Sequence, residues 1–483
     1  MKKAFRVFLF LLAALSCLTV FAAVAANAAE DVVYYYIDSE AGVDNVSGRD
    51  AAKPLRTYTE ACRNAVRDGA ERAYIVVKNA YVFAGNALEI AHPDTEFVLT
   101  SRGEHEDYGA SGAKLVISGA RRYYLGGATT FENLTLERDN SLVVVAQYNP
   151  LTFGEGMTMT CTGETDRGLW VVGGYQSPED TVDTTLDSHI TIKSGEYYVV
   201  AGGSRQKGAG QKGVAYDNTT YIDISGGKIN TLLGGPLSNQ IGKDTVITVS
   251  GGEINKLSTG GDVTRRLDGN ATVTLTGGTI QNLDINNVVG AATVTIAGAK
   301  IVNGGVRYEN DTIATLAKKA NLKKTLIYDG HYYTPDEVAA LGASFDVVEN
   351  KTSVYAAQNG TGDGMSERTA ASFADAFAVA AKTGGNVILC DNITLADFTE
   401  PAHTATVTLK AANNAKLTLT GTYTLAGETV FDEVTVTAAG AVLDAAGGKL
   451  VVNAAAKIVG KPDVVGTAEL YAGDFGKVTA TGE

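Results

Sequence analysis

Five stretches of the chain repeat one pattern: HITIKSGEYYVVAGG from His189, YIDISGGKINTLLGG from Tyr221, VITVSGGEINKLSTGG from Val246, TVTLTGGTIQNLDINN from Thr272 and TVTIAGAKIVNGG from Thr293. Each has alternating apolar residues, then a small residue and a glycine, then further apolar positions. The shared glycines lie 31, 25, 26 and 21 residues apart, at Gly195, Gly226, Gly251, Gly277 and Gly298. Alternation around a glycine turn predicts two short strands per repeat. One repeat cannot bury its apolar face alone, so consecutive repeats must stack.

Stacking in register predicts one buried and one exposed column of side chains along the axis. The buried column contains Tyr197, Ile229, Ile254, Ile280 and Ile301. The exposed column contains Glu196, Lys228, Glu253, Thr279 and Lys300. Its first three charges alternate in sign, and opposite charges on adjacent strands attract by roughly 0.2–1 kcal/mol per pair. We therefore expect an all-β fold, a right-handed parallel β-helix solenoid. A leucine-rich-repeat horseshoe would need an asparagine ladder, and a β-propeller would need longer periods.

Residues 34–163 and 354–460 follow one plan, so the sequence predicts two tandem β-helix units, each with a short N-terminal capping helix. The buried helical faces are predicted at Tyr58, Ala61, Cys62, Ala65 and Val66 in the first, and at Phe373, Ala376, Phe377 and Ala380 in the second. Such a helix would cover the unpaired strand edge of the first coil.

The predicted domain order begins with a signal peptide over residues 1–29, which has a basic start, an apolar run and an A-x-A pattern at residues 26–28. A first parallel β-helix follows over 30–305, then a capping and connecting segment with short helices over 306–353. A second, shorter β-helix occupies 354–483 and is either naturally short or truncated. We therefore expect a secreted or cell-surface protein with no membrane span after signal cleavage.

Composition excludes some classes of function. The net charge is −14 and only 19% of residues are charged, which argues against a nucleic-acid partner. Beyond the signal peptide the cysteines are Cys62, Cys161 and Cys390, and this odd, scattered set argues against a disulfide framework.

The start of the mature chain carries a resemblance. The residues that carry it are Tyr36, Asp38, Gly42, Asp44, Gly48, Pro54, Thr57 and Ala61. Together with the repeats, they make the chain resemble the pectin-lyase-like right-handed β-helix superfamily. The resemblance implies the fold more strongly than any activity, because that superfamily includes polysaccharide lyases, glycoside hydrolases, tailspikes and adhesins without demonstrated chemistry.

Two functions from different classes fit these features. The first is a non-catalytic extracellular scaffold or adhesin that presents a face to an extracellular polysaccharide, a cell-surface glycan or another cell. The alternative is a polysaccharide lyase or glycoside hydrolase that acts on acidic polysaccharide. The N-T-D, D-D, G-H-G and R-I-K motifs of galacturonan-type hydrolases do not occur. The histidines His92, His189, His331 and His403 are isolated in the sequence, which argues against a histidine-based mechanism. We therefore favour the scaffold.

Candidate ligand-binding residues lie in and near two loops. The loop from Ser204 lengthens its repeat, and long loops on one side of a solenoid often form the binding face. Its cationic residues, with aromatic residues in neighbouring turns, would suit acidic glycans. The predicted set is Trp170, Tyr175, Arg205, Lys207, Tyr216, Arg265 and Arg266. No catalytic residue is assigned.

One acidic loop raises the question of a metal. The stretch DSEAGVDNVSGRD from Asp38 offers oxygen ligands of the kind that Ca²⁺ prefers. The turn chemistry of Asp, Asn and Gly explains the same residues without a metal. We therefore expect no cofactor, with Ca²⁺ as the alternative.

Overall fold

The structure of the protein is a computed structural model that describes residues 32–83, 87–105, 108–109, 112–118, 122–163, 168–175, 183, 185–205, 216–237, 241–261, 266–285, 288–303, 306–307, 324–343 and 345–479. The predicted signal peptide lies outside these residues. Strands predominate, and they pair in parallel sheets, so the all-β class is confirmed. The chain divides into two compact units, Met1–Lys243 and Asp244–Glu483. The domain boundaries predicted above stay predictions.

The first unit is built from short strands. In chain order they are β1 (Val32–Ile37), β2 (Arg72–Val77), β3 (Ala80–Val82), β4 (Ala87–Leu88), β5 (Glu96–Thr100), β6 (Lys114–Ile117), β7 (Arg122–Tyr124), β8 (Thr129–Phe131), β9 (Thr135–Arg138), β10 (Leu142–Val145), β11 (Leu151–Phe153), β12 (Thr158–Cys161), β13 (Leu169–Val172), β14 (Ser188–Ile192), β15 (Glu196–Ala201), β16 (Thr219–Ile224), β17 (Lys228–Leu233) and β18 (Ile241–Gly242).

Three runs of parallel strands form this unit. One run follows the order β1-β2-β5-β8-β11-β14-β16, a second follows β4-β7-β10-β13-β15-β17, and a third follows β3-β6-β9-β12. Neighbours in a run are one to three strands apart along the chain. Between two neighbouring strands of one run, the chain therefore usually passes through the other runs. Parallel neighbours need such crossover connections.

The second unit contains the remaining strands. They are β19 (Asp244–Val249), β20 (Glu253–Ser258), β21 (Arg266–Leu267), β22 (Ala271–Leu275), β23 (Thr279–Asp284), β24 (Ala292–Ile296), β25 (Lys300–Ile301), β26 (Val306–Arg307), β27 (Lys324–Tyr328), β28 (Val347–Asn350), β29 (Ser353–Ala356), β30 (Gly385–Leu389), β31 (Ile393–Leu395), β32 (Phe398–Thr399), β33 (Val407–Ala411), β34 (Lys416–Leu419), β35 (Thr422–Thr424), β36 (Glu428–Phe431), β37 (Thr435–Thr437), β38 (Val442–Val452), β39 (Lys457–Val459), β40 (Asp463–Leu470) and β41 (Val478–Thr479).

The same alternation of runs continues there. The runs are β19-β22-β24-β27-β28, β20-β23-β25, β29-β30-β33-β36-β38-β35-β32 and β31-β34-β37-β39. Strand β40 pairs with the long strand β38 in parallel, and the register shifts between Ala445 and Lys449. Within this unit the core around Phe377, Tyr423 and Phe431 is buried.

The predicted side-chain columns are confirmed within each unit. Tyr197 pairs with Ile229 in the first unit, and Ile254, Ile280 and Ile301 follow one another in the second. The first four are at most 3% exposed, while Ile301 is half-buried. In the exposed column Glu196 pairs with Lys228, and their charged atoms lie 3.8 Å apart.

The glycine turns differ in detail from one repeat to the next. The shared glycine has a positive φ at Gly195, but in the next repeat the positive φ belongs to the second glycine, Gly227. The first glycine of that pair, Gly226, is needed for close packing: a Cβ there would lie 2.1 Å from the carbonyl oxygen of Lys193 in the preceding repeat. In this double glycine the first residue therefore allows the close approach, and the second adopts the positive φ of the turn.

Three α-helices occur among the described residues: α1 (Tyr58–Asp68), α2 (Pro335–Gly342) and α3 (Phe373–Thr383). The four predicted core residues of α3 are buried. In α1 the prediction was wrong for Val66, which is 37% exposed, whereas Asn64 is buried and donates a hydrogen bond to the carbonyl oxygen of Ser47. In the segment over 306–353 that was predicted to contain short helices, the structure describes helix α2, while residues 308–323 lie outside the described residues and Lys324 begins strand β27.

Candidate functional site

The main candidate site lies on the outer face of one run in the first unit. Along β10, Leu142 and Val144 point into the core, so Val143 and Val145 point to the opposite face. These two outward valines are nevertheless at most 6% exposed, because they belong to a separate apolar cluster. We call this group the outer-face cluster, and its members are Val143, Val145, Val172, Val199, Ala201, Leu233 and Leu237, with Tyr124 and Trp170 at its margin.

An arginine lies against the aromatic margin of the outer-face cluster. The guanidinium carbon of Arg205 is 5.1 Å from the ring centroid of Trp170, within the range of a cation–π contact. The ring of Tyr198 lies 5.4 Å from Trp170, and 47% of Tyr198 is exposed. Burial, and then the charge of Arg122, lower the pKa of Arg205. Trp170 and Tyr198 thus form a half-exposed aromatic shelf, and the Arg205 guanidinium lies against its Trp170 ring.

A hydrogen-bonded tyrosine group supports the loop that carries Arg205. The hydroxyls of Tyr148 and Ser204 are 2.9 Å apart, and the backbone N–H of Tyr175 donates to the same Ser204 oxygen at 2.9 Å. Tyr148 also packs edge-on against Tyr175 and at a tilt against Tyr216. Burial is the main cause that raises the pKa of all three tyrosines. They therefore stay protonated at neutral pH.

Backbone strain is concentrated beside this tyrosine group. Gln147 and Tyr148 both have positive φ angles, 55° and 65°. Their N–H groups donate to the carbonyl oxygens of Gly174 and Gly173, respectively. These hydrogen bonds attach the strained segment to the residues that follow strand β13. Left-handed non-glycine residues cost on the order of 1–3 kcal/mol and gather at binding sites.

The structure brings together four of the seven predicted site residues. Trp170, Tyr175, Arg205 and Tyr216 are linked through the contacts above, and Tyr216 is buried. Lys207 and Arg265 lie outside the described residues, and Arg266 is described only as part of the backbone of β21. Arg122 was missed by sequence reasoning, although its alternation with the core residue Tyr123 could have placed it on the outer face.

A second unexpected feature is a buried Glu–His pair that occurs in both units. His92 Nε2 is 3.0 Å from Glu89 Oε2, and His92 Nδ1 is 2.7 Å from the carbonyl oxygen of Thr95. His403 Nε2 is likewise 3.0 Å from Glu400 Oε2, and its Nδ1 is 2.7 Å from the carbonyl oxygen of Ala405. All four side chains are fully buried. The two histidines are thus isolated in the sequence but not in space.

The acceptors and donors around each pair also correspond. Glu89 accepts from the Gly126 N–H at 2.9 Å and from the Thr129 hydroxyl at 2.9 Å. Glu400 accepts from the Ala426 N–H at 3.0 Å and from the Thr429 hydroxyl at 2.6 Å. Each carboxylate thereby ties one turn of chain to the next. Because both side chains of each pair are sealed from solvent and bonded to neighbouring strands, we interpret the pairs as structural links. The signal in the sequence was the motif E-x-A-H at both places.

The acidic loop considered for calcium uses its oxygens internally. Asp38 accepts from the N–H groups of Glu40 and Ala41 and from Lys78 Nζ. Asp44 accepts from the N–H and hydroxyl of Thr57, which is the N-cap of helix α1. These bonds are the turn and cap chemistry that the sequence also offered as the explanation. Among the described residues no group of three acidic, histidine or cysteine side chains is arranged to hold a metal ion.

One ion pair stands out in the second unit. Asp284 at the end of β23 is fully buried, and its Oδ2 lies 3.0 Å from Nζ of Lys256 on β20. Because Leu283 points into the core, Asp284 points to the outer face, in register with Ser258. The pair places one carboxylate and one ammonium side by side on that face.

Comparison of the chain with protein-family models and with curated proteins gives no match. Among the helices within the described ranges, none is long and apolar enough to cross a membrane.

Proposed function

We propose that the parallel runs form a right-handed β-helix solenoid of the pectin-lyase-like kind. In-register parallel pairing, one strand per run from each turn of chain, supports this architecture. So do the buried and exposed columns, which a stack of coils requires. A rigid solenoid would hold side chains from successive turns at a fixed spacing of about 4.8 Å.

We further propose that the protein is a non-catalytic, secreted or cell-surface scaffold that binds a glycan on this solenoid. The observation that carries the proposal is the contact between Arg205 and Trp170 on a half-exposed aromatic shelf. Aromatic faces stack on the apolar faces of sugar rings, and a few polar groups then fix the orientation of the ligand. Arg205 and the protonated tyrosines described beside the shelf suit binding better than proton abstraction. Export of the chain follows from the proposed signal peptide.

A glycan-binding measurement tests this function. The purified protein should bind members of a panel of immobilised polysaccharides, and Trp170→Ala should weaken binding at least tenfold because it removes the stacking surface. Tyr221→Ala is the matched control, since Tyr221 stacks on His189 at a different surface of the same unit. Equal binding by wild type and Trp170→Ala, with unchanged thermal unfolding, would refute the assignment of the site.

The second candidate is a lyase or hydrolase that acts on acidic polysaccharide. The Lys256–Asp284 pair on the outer face of the second unit is the observation that favours it. Reducing-end and unsaturated-product assays on polyuronates would detect such an activity. Turnover that disappears in Asp284→Asn, Arg265→Ala or Arg266→Ala, while binding persists, would replace the scaffold by an enzyme.

A further inference from the structure

Two arginines beside the outer-face cluster, Arg122 and Arg205, form no ion pair with an acidic group in the described residues. Other arginines of the first unit do have such partners: Arg49 lies 3.2 Å from Asp68, and Arg72 pairs with Glu96. No described carboxylate pairs with Arg122 or Arg205; the guanidinium of Arg122 instead donates a 3.4 Å hydrogen bond to the Tyr124 hydroxyl. Both arginines are only half-exposed, so water compensates their charge incompletely.

The positive charges of the two guanidinium groups also repel each other. Burial, followed by the positive charge of Arg122, lowers the pKa of Arg205, so the charges are near enough to repel. Strand register places Arg122 and Trp170 on either side of Val143, on the same outer face and two strands apart. Their Cα atoms are therefore separated by about 10 Å, twice the spacing of parallel neighbours. An anion between the arginines would relieve this repulsion.

Comparison of the two Glu–His regions shows that the fold does not require this arginine. Strand β7 reads Arg122, Tyr123, Tyr124, and strand β35 reads Thr422, Tyr423, Thr424. The central tyrosine is fully buried in both strands. The flanking positions, which point outward, change from arginine and tyrosine to two threonines. Core packing accounts for the tyrosine but not for Arg122.

We propose that the glycan bound on the Trp170 shelf is anionic, and that Arg122 and Arg205 together hold a carboxylate or sulfate group of one sugar residue. The inference rests on the proposed glycan-binding function and names the ligand class of that site. The sugar ring stacks on Trp170 and Tyr198, while the guanidinium forks donate paired hydrogen bonds to the anionic group. Arg122 is the specificity-determining residue, because Arg205 also packs on the tryptophan.

Matched ligands that differ only in charge test the inference. The probes are a hexuronate oligomer and its methyl ester for carboxylate, and dextran sulfate and dextran for sulfate. We expect wild type to bind an acidic probe at least tenfold more tightly than its neutral counterpart. Arg122→Gln should remove most of that preference and leave the affinity for the neutral probe within about twofold, since a hydrogen bond to a charged group is worth about tenfold or more. Arg205→Lys should retain part of the preference because it keeps the charge without the fork.

The controls separate the failure of the two proposals. Arg72→Gln removes an arginine paired on another sheet, and it should leave all affinities unchanged. Equal affinity for acidic and neutral probes, with no effect of Arg122→Gln, would overturn the anionic ligand and leave the glycan-binding function standing. Binding of neither probe of either pair would overturn both. A preference for only one acidic probe supports the inference and identifies the anionic group.

Discussion

Replacing His403 by alanine should strongly destabilise the second unit. Its side chain and that of Glu400 are fully buried, and His403 Nε2 lies 3.0 Å from Glu400 Oε2. Without the imidazole, the Glu400 carboxylate keeps only the Ala426 N–H and the Thr429 hydroxyl as donors. The carbonyl oxygen of Ala405 loses the ring nitrogen that lies 2.7 Å away.

The magnitude follows from these losses. Removing one partner of a buried pair leaves an uncompensated charge and typically costs about 3–5 kcal/mol. Replacing both partners by apolar residues of similar volume avoids that charge. The double variant Glu400→Leu/His403→Leu should therefore be more stable than the sum of the two single losses predicts, with a coupling of about 1–3 kcal/mol.

Urea unfolding followed by native-state hydrogen exchange measures the effect where it acts. The amides of β33 and β36 should lose protection in His403→Ala, because these neighbouring strands lie on the turns that the pair links. His189→Ala is the control, since His189 is exposed and stacks on Tyr221. A loss below about 1 kcal/mol for His403→Ala, or additive single effects in the double variant, would refute the role of the pair as a structural link.

Three further predictions concern other elements. Asp38 should stabilise the first unit by about 2 kcal/mol above pH 4 and lose this contribution as the pH falls towards 2. Burial alone would raise the pKa of Asp38, but its hydrogen bonds and Lys78 outweigh burial and lower the pKa to about 2. Acid unfolding of Asp38→Asn should lack that pH dependence. Ile280→Ala should cost about 2–4 kcal/mol in urea unfolding, because it opens a cavity in the buried column. Thr334→Ala should cost about 1 kcal/mol in thermal unfolding, since Thr334 and Glu337 form the capping box of helix α2; Thr334→Ser should restore it.

The parallel strands and their buried columns could be predicted because both follow from local rules. Apolar alternation fixes which side chains point inward, and the repeat spacing fixes which residues become neighbours. The pairing of Ile254 with Ile280 could therefore be predicted from the sequence. The choice between Gly226 and Gly227 for the positive φ depends on how closely one turn approaches the next, and a single repeat contains no information on that distance.

The candidate site was predicted only in part because its contacts join residues distant in the chain. Trp170 and Arg205 were singled out as aromatic and cationic, but their stacking depends on where the loop after β15 returns to β13. Arg122 lies 83 residues before Arg205 in the sequence and has no motif of its own. The Glu–His pairs were missed for a related reason: each motif is short, and only its recurrence in the same place of two similar regions gives it meaning.

The two similar regions separate what the fold needs from what a ligand would need. Buried residues are kept between them: Glu89 and Glu400, His92 and His403, and Tyr123 and Tyr423 occupy matching positions. Outward residues are not kept, as Arg122 and Tyr124 against Thr422 and Thr424 demonstrate. Residues that pack inside a turn are constrained by the turns on either side, whereas an outward residue is constrained only by what it contacts there. The double variant Arg122→Thr/Tyr124→Thr gives β7 the outward residues of β35. It should therefore abolish anionic-glycan binding with little effect on the stability of the first unit. A large loss of stability in this variant would mean that Arg122 and Tyr124 serve the fold, and the case for a ligand at this face would fail with it.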